Sequence, residues 1–187
     1  MDMTGEQLIA LPQLRVWEAL NDPGVLKDCI PGCETMEKVS DTEYRVVLSA
    51  AVGPVKAKFS GKLLLSELSP PNAYALNFEG SGGAAGFGKG DCKVTLSAAD
   101  GGTRLAYVAH ATVGGKLAQV GSRLIDGVAR KMADDFFARF NQRVMPIAQP
   151  LVAAAAPKAK VPLWAWVLGV IILVILALFL AKSTGGY

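Results

Sequence analysis

VKAKFSGKLLLS, residues 55–66, decides the fold. Positions 55, 57, 59, 61, 63 and 65 read V-A-F-G-L-L, and positions 56, 58, 60, 62, 64 and 66 read K-K-S-K-L-S. Successive side chains of a strand point to opposite faces, so this stretch presents one dry face and one mostly wet one. That is the pattern of an antiparallel sheet covered on one side. Working outward, residues 44–52, 74–79, 92–98 and 103–113 are further strand candidates, and 4–9 is a short first strand. Gly53-Pro54, Pro70-Pro71-Asn72, a glycine-rich stretch and Asp100-Gly101-Gly102 mark the turns between them. Upstream, Pro12 opens a helix through Leu14, Trp17, Glu18 and Leu20. Asn21-Asp22-Pro23 ends it, and residues 24–30 read as a second short helix.

The period changes after the last strand. From Lys116 to Arg143, Leu117, Val120, Leu124, Ile125, Val128, Met132 and Phe136 recur at intervals of mostly three and four. This predicts one helix of seven to eight turns with a single apolar face. The expected fold class is therefore α+β: a curved antiparallel sheet of six to seven strands around a long C-terminal helix. Many inward candidates are small, namely Ala50, Ala57, Gly61, Ala109, Ala111 and Gly121. Small residues there serve close helix–sheet packing or leave room for an apolar guest.

Composition bounds the rest. The chain has 187 residues, 51% hydrophobic and 19% charged, too apolar for a disordered protein. Residues 1–146 hold 16 Lys/Arg and 16 Asp/Glu, and Lys158, Lys160 and Lys182 supply the net charge of +3. A neutral body offers no field for a polyphosphate, so no nucleic-acid partner is expected. Residues 161–181 carry no charge over 21 positions, which at about 1.5 Å per residue spans a bilayer core. Trp164 and Trp166 stand near the start of that run, where indoles favour the headgroup region. The expected organisation is a domain at 1–145, a Pro/Ala-rich linker at 146–160, a transmembrane helix at 161–181 and a short tail at 182–187. MDMTGEQLIA, residues 1–10, has no basic start and no apolar run, so no secretory signal is expected. Lysines 158 and 160 before the span, against Lys182 after it, orient the domain toward the cytoplasm. The reading is a single-pass, C-terminally anchored protein of the inner membrane.

No catalytic constellation emerges. Cys29 and Cys33 offer half a zinc site, and no second half follows; Cys92 and His110 form no paired motif, so no metal is expected. Gly88-Lys89-Gly90 lacks the Ser/Thr that a phosphate loop requires. Phe87, flanked by glycines, reads as an apolar side chain on a mobile loop, suited to gating a cavity or to dipping into a membrane or partner. His110 falls on the outward parity with Arg104 and Thr112, so it cannot serve a nucleophile inside. Asp126, Asp134 and Asp135, interleaved with Arg130 and Lys131, read as a solvated helix face. A cavity would be lined by Leu26 and Ile30 near its mouth and by Phe59, Leu63, Phe78, Tyr107, Leu117, Val120, Gly121, Leu124 and Val128, with Phe87 as a further ligand-contacting candidate.

Several long stretches carry a resemblance. MTGEQLIALP (3–12), VWEALNDPGVLKDCIPGCE (16–34), GPVKAKFSGKLLLSELSPPNAY (53–74), GGAAGFGKGDCKVTL (82–96) and VGGKLAQVGSRLIDGVARKMADDFFARF (113–140) are similar to the carbon monoxide dehydrogenase CoxG family. The element order resembles the helix-grip fold of the START/polyketide-cyclase (SRPBCC) superfamily. The resemblance implies a non-enzymatic accessory protein of a molybdenum CO dehydrogenase or related oxidoreductase, placing it in contact with the membrane quinone pool. It implies no covalent cofactor and a hydrophobic guest, with a menaquinone-like quinone fitting the task. A recruitment or assembly factor that transfers no ligand, and a cyclase-like enzyme using Tyr107 or Tyr74 as acid, are the alternatives.

Overall fold

The computed structural model describes residues 1–145. The linker, span and tail read at 146–160, 161–181 and 182–187 lie outside them. Among the described residues no helix is long and apolar enough to cross a membrane. The elements are β1 (Asp2–Ile9), α1 (Gln13–Leu20), α2 (Pro23–Cys29), β2 (Cys33–Lys38), β3 (Glu43–Val52), β4 (Val55–Ser69), β5 (Ala73–Ser81), β6 (Phe87–Ala99), β7 (Gly102–Gly114), α3 (Lys116–Gln119) and α4 (Ser122–Val144). Seven strands form one sheet in the order β1-β7-β6-β5-β4-β3-β2. Every neighbouring pair is antiparallel. From β2 to β7 the chain is a simple meander, whereas β1 and β2 lie on opposite edges, so α1 and α2 carry the chain across the sheet.

Local chemistry explains the short helices. Pro12 precedes α1, and Pro23 opens α2, whose cap Asp22 accepts hydrogen bonds from the amides of Gly24 (2.7 Å) and Val25 (3.1 Å). The register carries the alternation of 55–66 across the sheet. Leu63 stands opposite Tyr44 and Phe78, Leu65 opposite Leu76, and Val94 between Tyr74 and Tyr107. All of these share the inward parity. His110 is exposed on the outer face, 2.6 Å from Asp2, whose carboxylate holds its imidazole above the ordinary value.

Two ends of the grip differ. At the base lie the turns 39–42, 70–72 and 100–101; at the rim lie 53–54, 82–86 and 115–121. Tyr44, Tyr74, Val94, Leu96 and Leu105 are buried on the base half of the inward face, with Ile9, Val16, Phe140 and Val144 packed against that half. Thr103, fully buried there, donates its hydroxyl to the Leu11 carbonyl at 2.7 Å. Arg143 of α4 reaches Asp28 of α2 at 3.1 Å. Toward the rim the inward residues Phe59, Gly61, Phe78, Gly90, Ala109 and Ala111 are only half-buried. On α4, Phe137, Phe140 and Val144 are buried, whereas Leu124 is exposed. The helix therefore seals the base and covers the rim half less.

Two expectations are corrected. The helix read from Lys116 to Arg143 is broken: α3 ends at Gln119 and α4 starts at Ser122. Gly121, at φ +93°, makes the break, and its carbonyl accepts the first amides of α4 from Leu124 and Ile125. The glycine-rich stretch is not a loose loop. β5 runs to Ser81, one 3₁₀ turn spans Gly83–Ala85, and Phe87 is already the first residue of β6. A Cβ on Gly86 would run into the Gly114 carbonyl, so this glycine serves close backbone packing.

Candidate ligand cavity

Between α4 and the base half of the sheet lies a cavity of about 250 Å³. Helices α1 and α2 and the turn after them supply Leu20, Leu26 and Ile30. Strands β3, β4 and β5 supply Tyr44, Leu63, Leu65, Tyr74 and Leu76, and β6 and β7 supply Cys92, Val94, Leu105 and Tyr107. Helix α4 closes it with Ala133, Phe136 and Phe137. Phe137 stacks on Tyr107, their centroids 5.7 Å apart, and Phe136 stacks on Phe140 at 5.8 Å. These rings fix the helix at the height of the cavity.

The lining holds no ionised side chain. Burial raises the phenols of Tyr44, Tyr74 and Tyr107 above their ordinary value, so all three stay neutral at physiological pH. The Tyr44 hydroxyl is already spent on the Asn21 carbonyl at 3.0 Å. The Tyr107 ring and hydroxyl lie over Gly5 of β1, and the Tyr74 ring packs edge-on against Trp17, their centroids 5.5 Å apart. Burial pushes the Cys92 thiol up to about 11. At pH 7 only on the order of one part in ten thousand is then thiolate, the nucleophilic form. We expect alkylation of Cys92 by iodoacetamide to be far slower than in the unfolded chain and to climb as pH rises toward 11. Peptide-resolved mass spectrometry reads this out, and fast labelling at pH 7 would show the thiol to be outside the cavity wall.

Of the residues expected to line a cavity, Leu26, Ile30, Leu63 and Tyr107 do so. Phe59 and Phe78 share the inward face but sit nearer the rim, Phe59 beside Gly82 and Phe78 over Gly90. Val128 is half-buried on the first half of α4. Leu117 is buried in α3, Val120 follows it, Gly121 is exposed at the helix break, and Leu124 rests against Gly53 while 41% exposed. None of these lines the cavity. Phe87 is 46% exposed and packs over Gly114 on the outer face, because its position has the parity opposite to Gly88. Tyr44, Tyr74, Cys92, Ala133 and Phe137 are among the lining residues that sequence periodicity does not single out. The adjacent aromatics Phe136 and Phe137, repeated at Phe140, are the one signal in the sequence that points to them.

A second, larger concavity of about 550 Å³ lies on the outer face among Asp2, Lys62, Glu79, Lys89, Asp91 and His110. Its charged walls do not suit an apolar guest. Among the described residues no cluster of His, Cys, Asp and Glu is arranged to hold a metal ion.

Residues 5–145 match the model of the carbon monoxide dehydrogenase CoxG family. The chain belongs to the CoxG family. A solved structure of a conserved protein from Geobacillus kaustophilus is similar at 30% identity, covering 78% of this chain and 96% of that one, with a TM-score of 0.73. A Thermus thermophilus protein at 15% identity covers 79% of this chain and 99% of its own length, with a TM-score of 0.61. A Mycobacterium smegmatis protein at 18% identity covers 78% and 92%, with a TM-score of 0.59. The latter two share the fold alone. None of the curated proteins matches the chain. The matched segment ends at the C-terminus of α4, so the CoxG family unit is the grip with its cavity.

Proposed function

We propose that this CoxG-family protein is a non-enzymatic accessory of a molybdenum CO dehydrogenase-type oxidoreductase, carrying a menaquinone-like quinone between the membrane and that enzyme. The cavity carries the reading: fifteen residues line it, and none bears a charged side chain. Family membership supplies the dehydrogenase as the partner class. At about 250 Å³ the space is below the roughly 300–1,000 Å³ of a pocket for a drug-sized ligand. It accommodates a ring or a short length of chain, and an isoprenoid tail would continue through the half-covered rim side. Neutral phenols at Tyr74 and Tyr107 would donate to quinone carbonyls. Because a bilayer is as apolar as the cavity, transfer of the tail between them is nearly isoenergetic, as reversible carriage requires. The uncharged run at 161–181 would hold the protein at the inner membrane with its domain in the cytoplasm.

Native mass spectrometry of the full chain released from membranes tests this. The expected result is a retained lipophilic molecule of quinone mass, displaced by added menaquinone. Protein that carries none and binds none when offered quinones leaves the carrier reading without support.

A further inference from the structure

The charges of the grip are sorted between its two ends. The rim segments 52–58, 81–89 and 113–124 contain Lys56, Lys58, Lys89, Lys116 and Arg123 and no carboxylate. The base segments 37–43, 66–73 and 98–103 contain Glu37, Asp41, Glu43, Glu67 and Asp100 against the single cation Lys38. Lys58 is paired with Glu34 at 2.7 Å, and Lys89 stands opposite Glu79 in the β5–β6 register, where Glu79 pairs with Lys62; Lys56, Lys89, Lys116 and Arg123 form no ion pair among the described residues. All four are exposed. Between them the rim presents uncharged, mostly small or apolar groups. Leu124 rests on Gly53 of the β3–β4 turn, and α3 meets the 3₁₀ turn, which in turn meets β4. These contacts make the rim a continuous ring around the less covered side of the hollow.

We propose that this rim is a docking surface for an anionic phospholipid bilayer. The proposal rests on the carrier reading for its purpose, and on charge and topology for its evidence. The body's net charge is zero, so attraction depends on which end faces the surface. The 23 residues of α4 set the ends about 35 Å apart, several Debye lengths at physiological salt. The bilayer therefore senses the rim cations without the base carboxylates. A polyanion or an acidic protein face is also complementary in sign, but the small apolar groups among the cations favour an interface with lipid over one with charge alone.

Hydrogen exchange of the full chain reconstituted in phosphatidylcholine vesicles, with and without a third of phosphatidylglycerol, tests this. Amides at 52–56, 82–88 and 114–124 should exchange more slowly in the anionic vesicles, and the base turns should not change. High salt should cancel the difference. Each cation near the surface is worth about fivefold in the equilibrium between docked and undocked domain, so the triple variant Lys56→Gln, Lys116→Gln, Arg123→Gln should lose on the order of a hundredfold. If the triple variant misfolds, which faster exchange at the base turns would reveal, the salt dependence of the unaltered chain decides. Equal rim exchange in the two vesicles, or protection on the outer sheet face instead, overturns the proposal. Protection that appears only when the dehydrogenase is added assigns the rim to a protein partner. Quinone content measured on the same samples separates the two readings: rim protection without bound quinone removes the carrier and keeps the docking.

Discussion

Ala133→Phe is expected to expel the guest from the cavity while leaving the fold nearly as stable as before. Ala133 stands on the cavity-facing side of α4, opposite the Tyr107 and Cys92 region of the sheet, where about 250 Å³ is unfilled by protein. A benzyl group added there is driven inward by about 1.5–3 kcal/mol of burial. Against this stand a helix-propensity loss of roughly 0.5 kcal/mol and whatever strain the walls impose, about 1–3 kcal/mol in a core with no spare room. The balance lies near zero only because the space exists. Ligand retention should fall about tenfold or more, equivalent to at least about 1.4 kcal/mol. Thermal unfolding and bound-quinone content of the full chain measure the two effects together. Full retention of quinone would place the guest elsewhere, and a loss of several kcal/mol in stability would mean that no usable space is there.

Phe140→Ala should give the largest loss of stability of any single change considered. Phe140 is fully buried, stacked on Phe136 and packed with Ile9, Val16 and Val144, so its removal leaves a hole in the sealed base. Buried Phe→Ala changes cost about 3–5 kcal/mol, a large part of the 5–15 kcal/mol that holds a domain folded. For a domain of this size the melting temperature should fall by about 10–20 °C. Leu63→Ala, on a wall that already borders empty space, should cost clearly less, about 2 kcal/mol. Chemical denaturation of both variants is the check. Equal costs would mean that cavity and base are packed alike, contrary to the gradient of burial along α4.

The sheet was legible in the sequence because one strand advertised it: the alternation of 55–66 is the register found for β4. Asn21-Asp22-Pro23, read as the end of α1, also starts α2 in the structure: Asp22 caps its first amides and Pro23 is its first residue. The break at Gly121 was hidden because the apolar period of three and four continues through it from Leu117 to Leu124. Periodicity records which residues face inward and says nothing of a change in direction between them. The position of the cavity is a related case. Small residues such as Ala109, Ala111 and Gly121 point to the rim half, whereas the cavity of about 250 Å³ lies among the larger side chains of the base half. Which side of a sheet a residue faces is local information. Whether its neighbours across the hollow meet depends on helix position, which Phe136 and Phe137 set through contacts distant in the chain.

The edge position of β1 has a consequence for how the protein is made. Its partner is β7, and the Asp2–His110 contact joins residues 108 apart. Closing so long a loop is entropically costly and raises the contact order of the domain. During synthesis β1 emerges first and must wait unpaired until nearly the whole meander has left the ribosome. The strand that precedes all the others in the sheet is thus the one whose pairing must come last in synthesis, because its partner β7 is the final strand to emerge.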